Sequence, residues 1–427
     1  MPECRTIFAL SSGALPAAVA ILRISGPSAK AAVETLCGRC PPPRQAALRT
    51  LRDPGSGDVL EAGLVLFFAA PASFTGEDVA ELQVTGSRAL VARLQSLLAD
   101  MPDLRAAEPG EFARRALSAG KLDLTQAEGL AALVDAETEA ERSQAMMAAG
   151  GTIRHSAEGW RDRLNRLRAD LEASLDFGDA EEDVARELEQ SVQTPVSDLR
   201  DDIDLVLSGA AAAQRLSRGF TVAIVGPPNA GKSTLLNALS RSDAAIVSDR
   251  AGTTRDVIEV PMDIGGLPVT LVDTAGLRAT DDPVEAEGVR RAAARAGGAD
   301  LVIRLGESGT RFANELPVHA KCDVDEPPDD RLQISARTGE GLEKLLSAIG
   351  ERLGALAPSP EPTVINERQH QHLAMCRDEL HLAHGAGDPI LAAEHLRRAA
   401  DALGRLTGQL ETDAMLDAVF SRFCIGK

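Results

Sequence analysis

Gly226-Pro-Pro-Asn-Ala-Gly-Lys-Ser233 decides how this chain folds around its chemistry. The stretch fits the pattern GxxxxGK[ST]. It follows without a break from Phe220–Gly226 (Phe-Thr-Val-Ala-Ile-Val-Gly), a continuous apolar run of the kind a buried parallel strand requires. Thr234–Leu239 then reads as a helix, so the motif sits in the strand–loop–helix setting that gives it meaning. Glycines allow backbone amides to wrap phosphates, and the helix N-terminus adds positive potential. Lys232 is placed to reach the β- and γ-phosphates and Ser233 to bind Mg²⁺, with Asn229, Ala230, Gly231 and Thr234 completing the loop.

Two further motifs lie downstream in the expected order. Val269–Val272 reads as a second apolar strand and runs into Asp273-Thr274-Ala275-Gly276. Asp273 suits the Mg²⁺ shell, and the Gly276 amide suits sensing of the γ-phosphate. Between the motifs lies Gly252-Thr253-Thr254-Arg255-Asp256, where Thr254 is placed to complete Mg²⁺ coordination as a switch residue. This order and wording resemble a translation-factor-class GTPase. Base choice then falls to an NKxD motif, and here the chain has Ala320-Lys321-Cys322-Asp323. Asp323 can accept from the guanine edge and Lys321 can cover the ring. The absent Asn amide removes a contact to the base and a brace to the phosphate loop, which costs ~1–3 kcal/mol. GTP is therefore expected over ATP, with weakened affinity. Ser335-Ala336-Arg337 matches the remaining base-side loop. Only eleven residues, Gly306–Leu316, separate the strands Leu301–Leu305 and Pro317–Ala320. A parallel crossover needs about a dozen, so the helix expected there is cut to a turn or lost. The residue after Gly276 is Leu277, which cannot orient water, and Arg255 and Arg278 are not evident as an arginine finger in cis.

Composition restricts the partners. At 427 residues two or three domains are expected, and 44% hydrophobic with 26% charged residues describes an ordinary soluble globular protein. No apolar run approaches the ~18 residues that span a bilayer. The opening Met-Pro-Glu-Cys-Arg lacks a secretory pattern, so a cytoplasmic location is expected. A net charge of −19 opposes unaided binding to a phosphate polymer. With 3% aromatics and no Tyr, the chain also lacks stacking platforms for bases. An RNA substrate would need a partner protein or a local basic surface. Arg154–Arg168, with five Arg against two acids, is either that surface or a solvated helix face. The six cysteines are scattered; Cys37 and Cys40 form one CxxC without the second pair a zinc site wants. His370 and His372 are two residues apart and diverge on a helix; His381 and His384 lack an evident third ligand.

The chain reads as multidomain. Residues 1–119 mix strands (Val19–Ile24, Leu64–Phe68) with a helix (Arg88–Leu98) as an α+β domain. Residues 120–216 turn helical, with an acidic interruption at Asp176–Asp183. Residues 217–357 are an α/β phosphate-loop domain, closed by the Pro-rich Ala357–Pro362, and 358–427 are helical again. One all-α domain with the α/β block inserted accounts for this order.

Sequence outside the phosphate-loop block resembles one family, the MnmE (TrmE) tRNA modification GTPases. Ile21-Leu-Arg-Ile-Ser-Gly26, Ser73-Phe-Thr-Gly-Glu-Asp-Val79 and Pro109-Gly-Glu-Phe112 are similar to its N-terminal domain. Gly120-Lys-Leu-Asp-Leu-Thr-Gln-Ala-Glu128 is similar to the start of its helical domain, and Phe423-Cys-Ile-Gly-Lys427 to its terminal signature. The resemblance implies a K⁺-activated GTPase. Asn229, with Ser248, Arg250 and Thr253, would hold K⁺ where an arginine finger sits elsewhere, in a shell ordered when two GTPase domains meet. Glu285 would position the attacking water through a bridging one. The resemblance further implies an N-terminal domain that forms the homodimer and binds 5-formyl- or 5,10-methylene-tetrahydrofolate through Arg23, Glu81, Lys121 and Lys427, with Cys424 nearby. The loop Ala14-Leu-Pro-Ala-Ala-Val19 departs from the family's glycine-rich pattern. The implied reaction joins a folate one-carbon unit to C5 of the tRNA wobble uridine, with an FAD-dependent partner of the MnmG family and glycine or ammonium completing a (carboxymethyl)aminomethyl group. Two rivals stay open: a ribosome-assembly or regulatory GTPase, and a folate-dependent one-carbon transferase with a vestigial GTPase.

Overall fold

The computed structural model describes residues 5–176, 182–227, 229–246, 259–273, 297–306, 311–324, 331–357, 366–421 and 423–426. By contact they cluster into two units, Met1–Ala131 with Gly404–Lys427, and Ala132–Leu403. The fold is multidomain, as expected from the sequence: an α+β N-terminal part, an all-α part and an inserted α/β phosphate-loop part.

The first unit is built on a six-stranded sheet. Its elements run β1 (Thr6–Leu10), β2 (Ala17–Ser25), α1 (Ala29–Cys37), β3 (Ala47–Arg52), β4 (Val59–Phe68), β5 (Val79–Gly86), α2 (Arg88–Ala99), β6 (Leu104–Ala106) and α3 (Glu111–Ser118). Strand order is β3-β4-β5-β2-β1-β6, antiparallel except for the β1–β6 pair. Alternation decides the faces. Ala20, Leu22 and Ile24 of β2 and Ala80, Leu82 and Val84 of β5 are buried in one core cluster. Residues of α1 (Ala29, Ala32, Val33, Leu36) and α2 (Val91, Leu94, Leu97, Leu98) join them at three- and four-residue spacing. The other face carries Arg23 and Glu81, cross-strand neighbours on β2 and β5, beside the exposed Leu48 and Leu64. A closing helix, Asp413–Phe420, returns to this unit and buries Phe420 against Ala113, Leu124 and Ala127.

The second unit joins helices to a second sheet. After α4 (Leu124–Asp135) come α5 (Glu139–Ala149), α6 (Thr152–Asp176), α7 (Glu182–Ser208) and α8 (Ala210–Arg218). Residues 177–181 of the acidic stretch lie outside the described residues. Then follow β7 (Phe220–Val225), α9 (Lys232–Leu239), β8 (Glu259–Ile264), β9 (Leu267–Asp273), β10 (Leu301–Leu305), β11 (Glu315–Ala320), β12 (Leu332–Ile334) and α10 (Leu342–Gly354). Helices α11 (Glu367–Gly385) and α12 (Pro389–Leu406) complete it. Strand order is β12-β11-β10-β7-β9-β8, parallel apart from the β8–β9 hairpin. β7 and β10 are buried nearly throughout, as a doubly covered parallel strand should be. β11 alternates instead: Leu316 and Val318 are buried while Pro317 is exposed. Of the shortened crossover, residues 307–310 lie outside the described residues, and Arg311–Asn314 form no helix. Phe312 packs there against Ala223, Ala299 and Val302. Arg304 on β10 forms a bidentate pair with Glu315 on β11, at 2.6 and 2.5 Å, both side chains largely buried. Among the described residues no helix is long and apolar enough to cross a membrane.

Candidate nucleotide site

The central strand of the second sheet, β7, ends where the phosphate loop begins. Gly226 lies so close to β10 that a Cβ would stand 2.4 Å from the Leu305 carbonyl oxygen. Asn229 adopts a left-handed φ of 61°, and Gly231, at φ 96°, precedes the first turn of α9. Leu235, Leu236 and Leu239 anchor α9 in the core and so fix the direction of its N-terminus. Lys232 folds back over the loop and donates to the carbonyls of Gly226 (2.7 Å) and Pro227 (2.8 Å). Burial lowers its pKa, and the charge of Asp273 opposes that shift. Ser233 Oγ donates to Asp273 Oδ2 at 2.9 Å, so the end of β9 and the start of α9 bring two oxygens to one point. Asp273 itself is buried.

Beside the loop opens a cleft of about 190 Å³, lined by Gly231, Thr234, Lys321, Asp323, Ser335, Ala336 and Arg337, with Leu235, Ala320, Val324 and Ile334. It stands at the carboxyl ends of β11 and β12, the edge at which an open α/β sheet binds ligands. Cys322 N donates to the Ile334 carbonyl (3.1 Å) and Ser335 N to that of Glu340 (2.9 Å), which locks the two base-side loops together. The Lys321 amine donates to the Asn229 carbonyl at 2.9 Å. That bond joins the base-side loop to the phosphate loop although the sequence lacks the Asn expected to brace them. Sequence reasoning missed it, because nothing in the residue type says which carbonyl a lysine will find. It also missed Val324, an exposed residue after the motif with no signal of its own.

Thus Asn229, Ala230, Gly231, Lys232, Ser233, Thr234 and Asp273 gather around one loop, and Lys321, Asp323, Ser335, Ala336 and Arg337 line the adjoining cleft. Ser248, Arg250, Thr253, Thr254, Thr274, Ala275, Gly276 and Glu285 lie outside the described residues.

The first unit holds a second cluster. Arg23 donates through Nε (3.1 Å) and Nη2 (3.0 Å) to Glu81 Oε1, and its guanidinium stacks 5.8 Å from the ring centroids of Phe74 and Phe112. Lys121 lies against Gly76, in the same loop as Phe74: a Cβ on Gly76 would be 3.5 Å from Lys121 Cε. The chain's tail is tied to the end of β1. Ser11 Oγ donates to the Gly426 carbonyl (2.8 Å), and a Cβ on Gly426 would stand 2.3 Å from the Leu10 carbonyl oxygen. Cys424 on that tail is exposed; Lys427 lies outside the described residues.

Comparison with known proteins bears on both clusters. Residues 6–121 match the family model described as the GTP-binding protein TrmE N-terminus, and residues 124–424 match that of the MnmE helical domain. The tRNA modification GTPase MnmE of Parvibaculum lavamentivorans is 49% identical over 438 residues, covering 99% of this chain and 100% of that protein. The chain belongs to the MnmE family of tRNA modification GTPases. The MnmE of Cereibacter sphaeroides is likewise 49% identical over 436 residues, and that of Azorhizobium caulinodans 47% over 430, each covering 99% of this chain and at least 99% of the relative. Within the MnmE family, then, this chain carries its phosphate loop and base cleft in one sheet and Arg23–Glu81 on another.

Proposed function

We propose that the chain hydrolyses GTP in a K⁺-activated reaction, and that this turnover serves attachment of a (carboxymethyl)aminomethyl group at C5 of the tRNA wobble uridine. A tetrahydrofolate one-carbon unit and an FAD-dependent partner of the MnmG family take part. The observation that carries the reading is the meeting of Lys232, Ser233 and Asp273 with a base-sized cleft at one edge of a parallel sheet. The name shared by its relatives, tRNA modification GTPase, supports the tRNA step.

The residues fit the ions this reading needs. Ser233 Oγ and Asp273 Oδ2 are hard oxygen donors 2.9 Å apart, a set suited to Mg²⁺, with Thr254 as a further ligand. Mg²⁺ would neutralise charge on the β- and γ-phosphates. Lys232 exchanges its two carbonyl partners for phosphate oxygens, and the loop amides hold the rest. Asp323 reads the guanine edge and Lys321 covers the ring. Asn229, with Ser248, Arg250 and Thr253, offers oxygens for K⁺, and Glu285 positions the attacking water. In the first unit, Arg23 and Lys121 pair the folate carboxylate and Glu81 grips the N–C–N edge of the pterin. Cys424 is assigned a catalytic part. Exposed Val19, Leu48 and Leu64, on the strands that carry Arg23 or pair in its sheet, support a homodimer through this domain. The division into 1–119, 120–216, 217–357 and 358–427, and a cytoplasmic location, belong to the same proposal.

Turnover of GTP by the purified chain in potassium against sodium chloride tests it. Faster hydrolysis with potassium is expected. Equal rates, or none in either salt, would reject the reading.

A further inference from the structure

The β8–β9 hairpin sits between the segments that carry the switch residues. β8 starts at Glu259, shortly after Thr253 and Thr254 in sequence, and β9 ends at Asp273. Its ladder pairs every position from Glu259↔Val272 to Ile264↔Leu267, so the hairpin is held together along its whole length. Its tip is Gly265-Gly266, at φ 65° and 82°, held by a bond from Gly266 N to Asp263 Oδ1 (2.7 Å).

That tip touches the helical part of the same unit at one well-defined bond. Gly266 O accepts from Ala140 N at 3.0 Å. Ala140 stands in the first turn of α5, directly after the capping residue Thr138 and Glu139. Amides of a helix's first turn have no partner within the helix. Thr138 Oγ1 takes one of them, Glu141 N, and the Glu141 carboxylate returns to Thr138 N at 2.9 Å. The hairpin carbonyl takes Ala140 N, with its negative end toward the positive end of the helix. A Cβ on Gly266 would lie 3.7 Å from Glu139 Cβ, and Ala140 packs against the core of the second sheet. α5 passes through Gly150-Gly151 into α6, the 25-residue helix packed along α7. Gln144 of α5 reaches the Ala213 carbonyl of α8 (3.5 Å), and α8 runs directly into β7.

We propose that the Ala140–Gly266 bond is the link by which the nucleotide state of the phosphate-sensing segments is passed to the helical bundle. The inference rests on the GTPase reading above. A hairpin bounded by those segments carries any displacement of Asp273 to its tip, and a shift of about 1 Å there breaks a 3.0 Å bond. Packed elements answer such a shift by switching between arrangements rather than by stretching.

The test is hydrogen exchange of the α5 amides Glu141–Ala149 in the full chain, with GDP alone and with GDP plus aluminium fluoride. In the unmodified chain the exchange rates should differ by about tenfold between the two states. Ala140→Pro removes the donor within the first turn, where no intrahelical hydrogen bond is lost; it should leave GTP turnover within about twofold while the state dependence falls to about twofold or less. Ala140→Gly keeps the N–H but is a poorer helix former, and should keep the state dependence. The proposal is overturned if Ala140→Pro retains the full difference, if both variants lose it alike, or if the unmodified chain shows none while hydrolysing GTP. Absence of turnover in the unmodified chain overturns instead the functional reading beneath it.

Discussion

The amine of Lys321 donates to the main-chain oxygen of Asn229 at 2.9 Å, so a hydrogen bond ties the Ala320–Asp323 loop to the Gly226–Ser233 loop. Lys321 holds a left-handed φ of 66°. With Ala at position 320, this bond carries bracing that an Asn amide would otherwise share. Lys321→Met should therefore weaken GTP binding by more than the loss of ring cover alone, by about a hundredfold, or ~2–3 kcal/mol. Ala320→Asn should tighten it by about tenfold. Calorimetry with GTP, GDP and ATP on both variants measures this. Unchanged affinity in Ala320→Asn would show that the cleft does not need the amide.

The short crossover yields a prediction about acid stability. Arg304 hydrogen bonds hold the Glu315 carboxyl at about 2, below its ordinary 4.5, with burial opposing and the Phe312 amide assisting. A carboxyl with a depressed folded-state pKa stabilises the fold fully above its unfolded value. The stabilisation is lost as pH falls from about 4.5 toward about 2. Glu315→Gln takes the carboxylate out of the buried Arg304–Glu315 pair and should destabilise by about 3 kcal/mol at neutral pH. The joint variant Arg304→Met with Glu315→Leu should recover most of that loss. Urea unfolding at pH 7 and pH 3 separates the cases: the gap between the unmodified chain and Glu315→Gln should narrow at the lower pH.

Phe220–Ser233 announced its strand, loop and helix because apolar continuity and glycine spacing are local properties of the chain. The shortness of Gly306–Leu316 was legible as a count of residues. Its remedy was not, since Arg304 and Glu315 lie eleven positions apart and meet only through strand register. The family resemblance points to Arg23 and Glu81 one by one, yet their mutual pairing needs the β2–β5 register, which no local pattern states. β12, three residues long, was too short for any periodicity to reveal.

The Arg23–Glu81 pair separates the two proposed chemistries. Each residue lies on the first sheet, and neither takes part in the phosphate loop. A bound folate must draw both charges away from each other, so removing either partner should weaken tetrahydrofolate binding by at least about tenfold. Arg23→Ala and Glu81→Ala should both leave GTP turnover within about twofold, because neither side chain belongs to the sheet that carries the phosphate loop. Equilibrium binding of 5-formyl-tetrahydrofolate, run beside a GTPase assay, decides it; folate affinity untouched by both changes would remove these residues from the site.

Gly341 offers the sharpest test of how the base cleft is supported. It occupies φ 76°, and a Cβ there would stand 2.0 Å from the Gln333 carbonyl oxygen, far inside any real contact. The obstacle is backbone of β12 rather than a flexible side-chain end, so it cannot swing aside. Gly341→Ala must either push β12 away or leave the left-handed region, and either movement drags Ser335, whose amide bonds to the neighbouring Glu340 carbonyl. A cost of at least ~2 kcal/mol is expected. Because Ser335–Arg337 line the cleft, GTP and GDP affinity should fall together, while Gly339→Ala, with nothing among the described residues within 4 Å of its Cβ, should fall less. Thermal unfolding with and without GDP checks both variants, and equal behaviour of the two would show that contact with β12 is not what fixes the cleft.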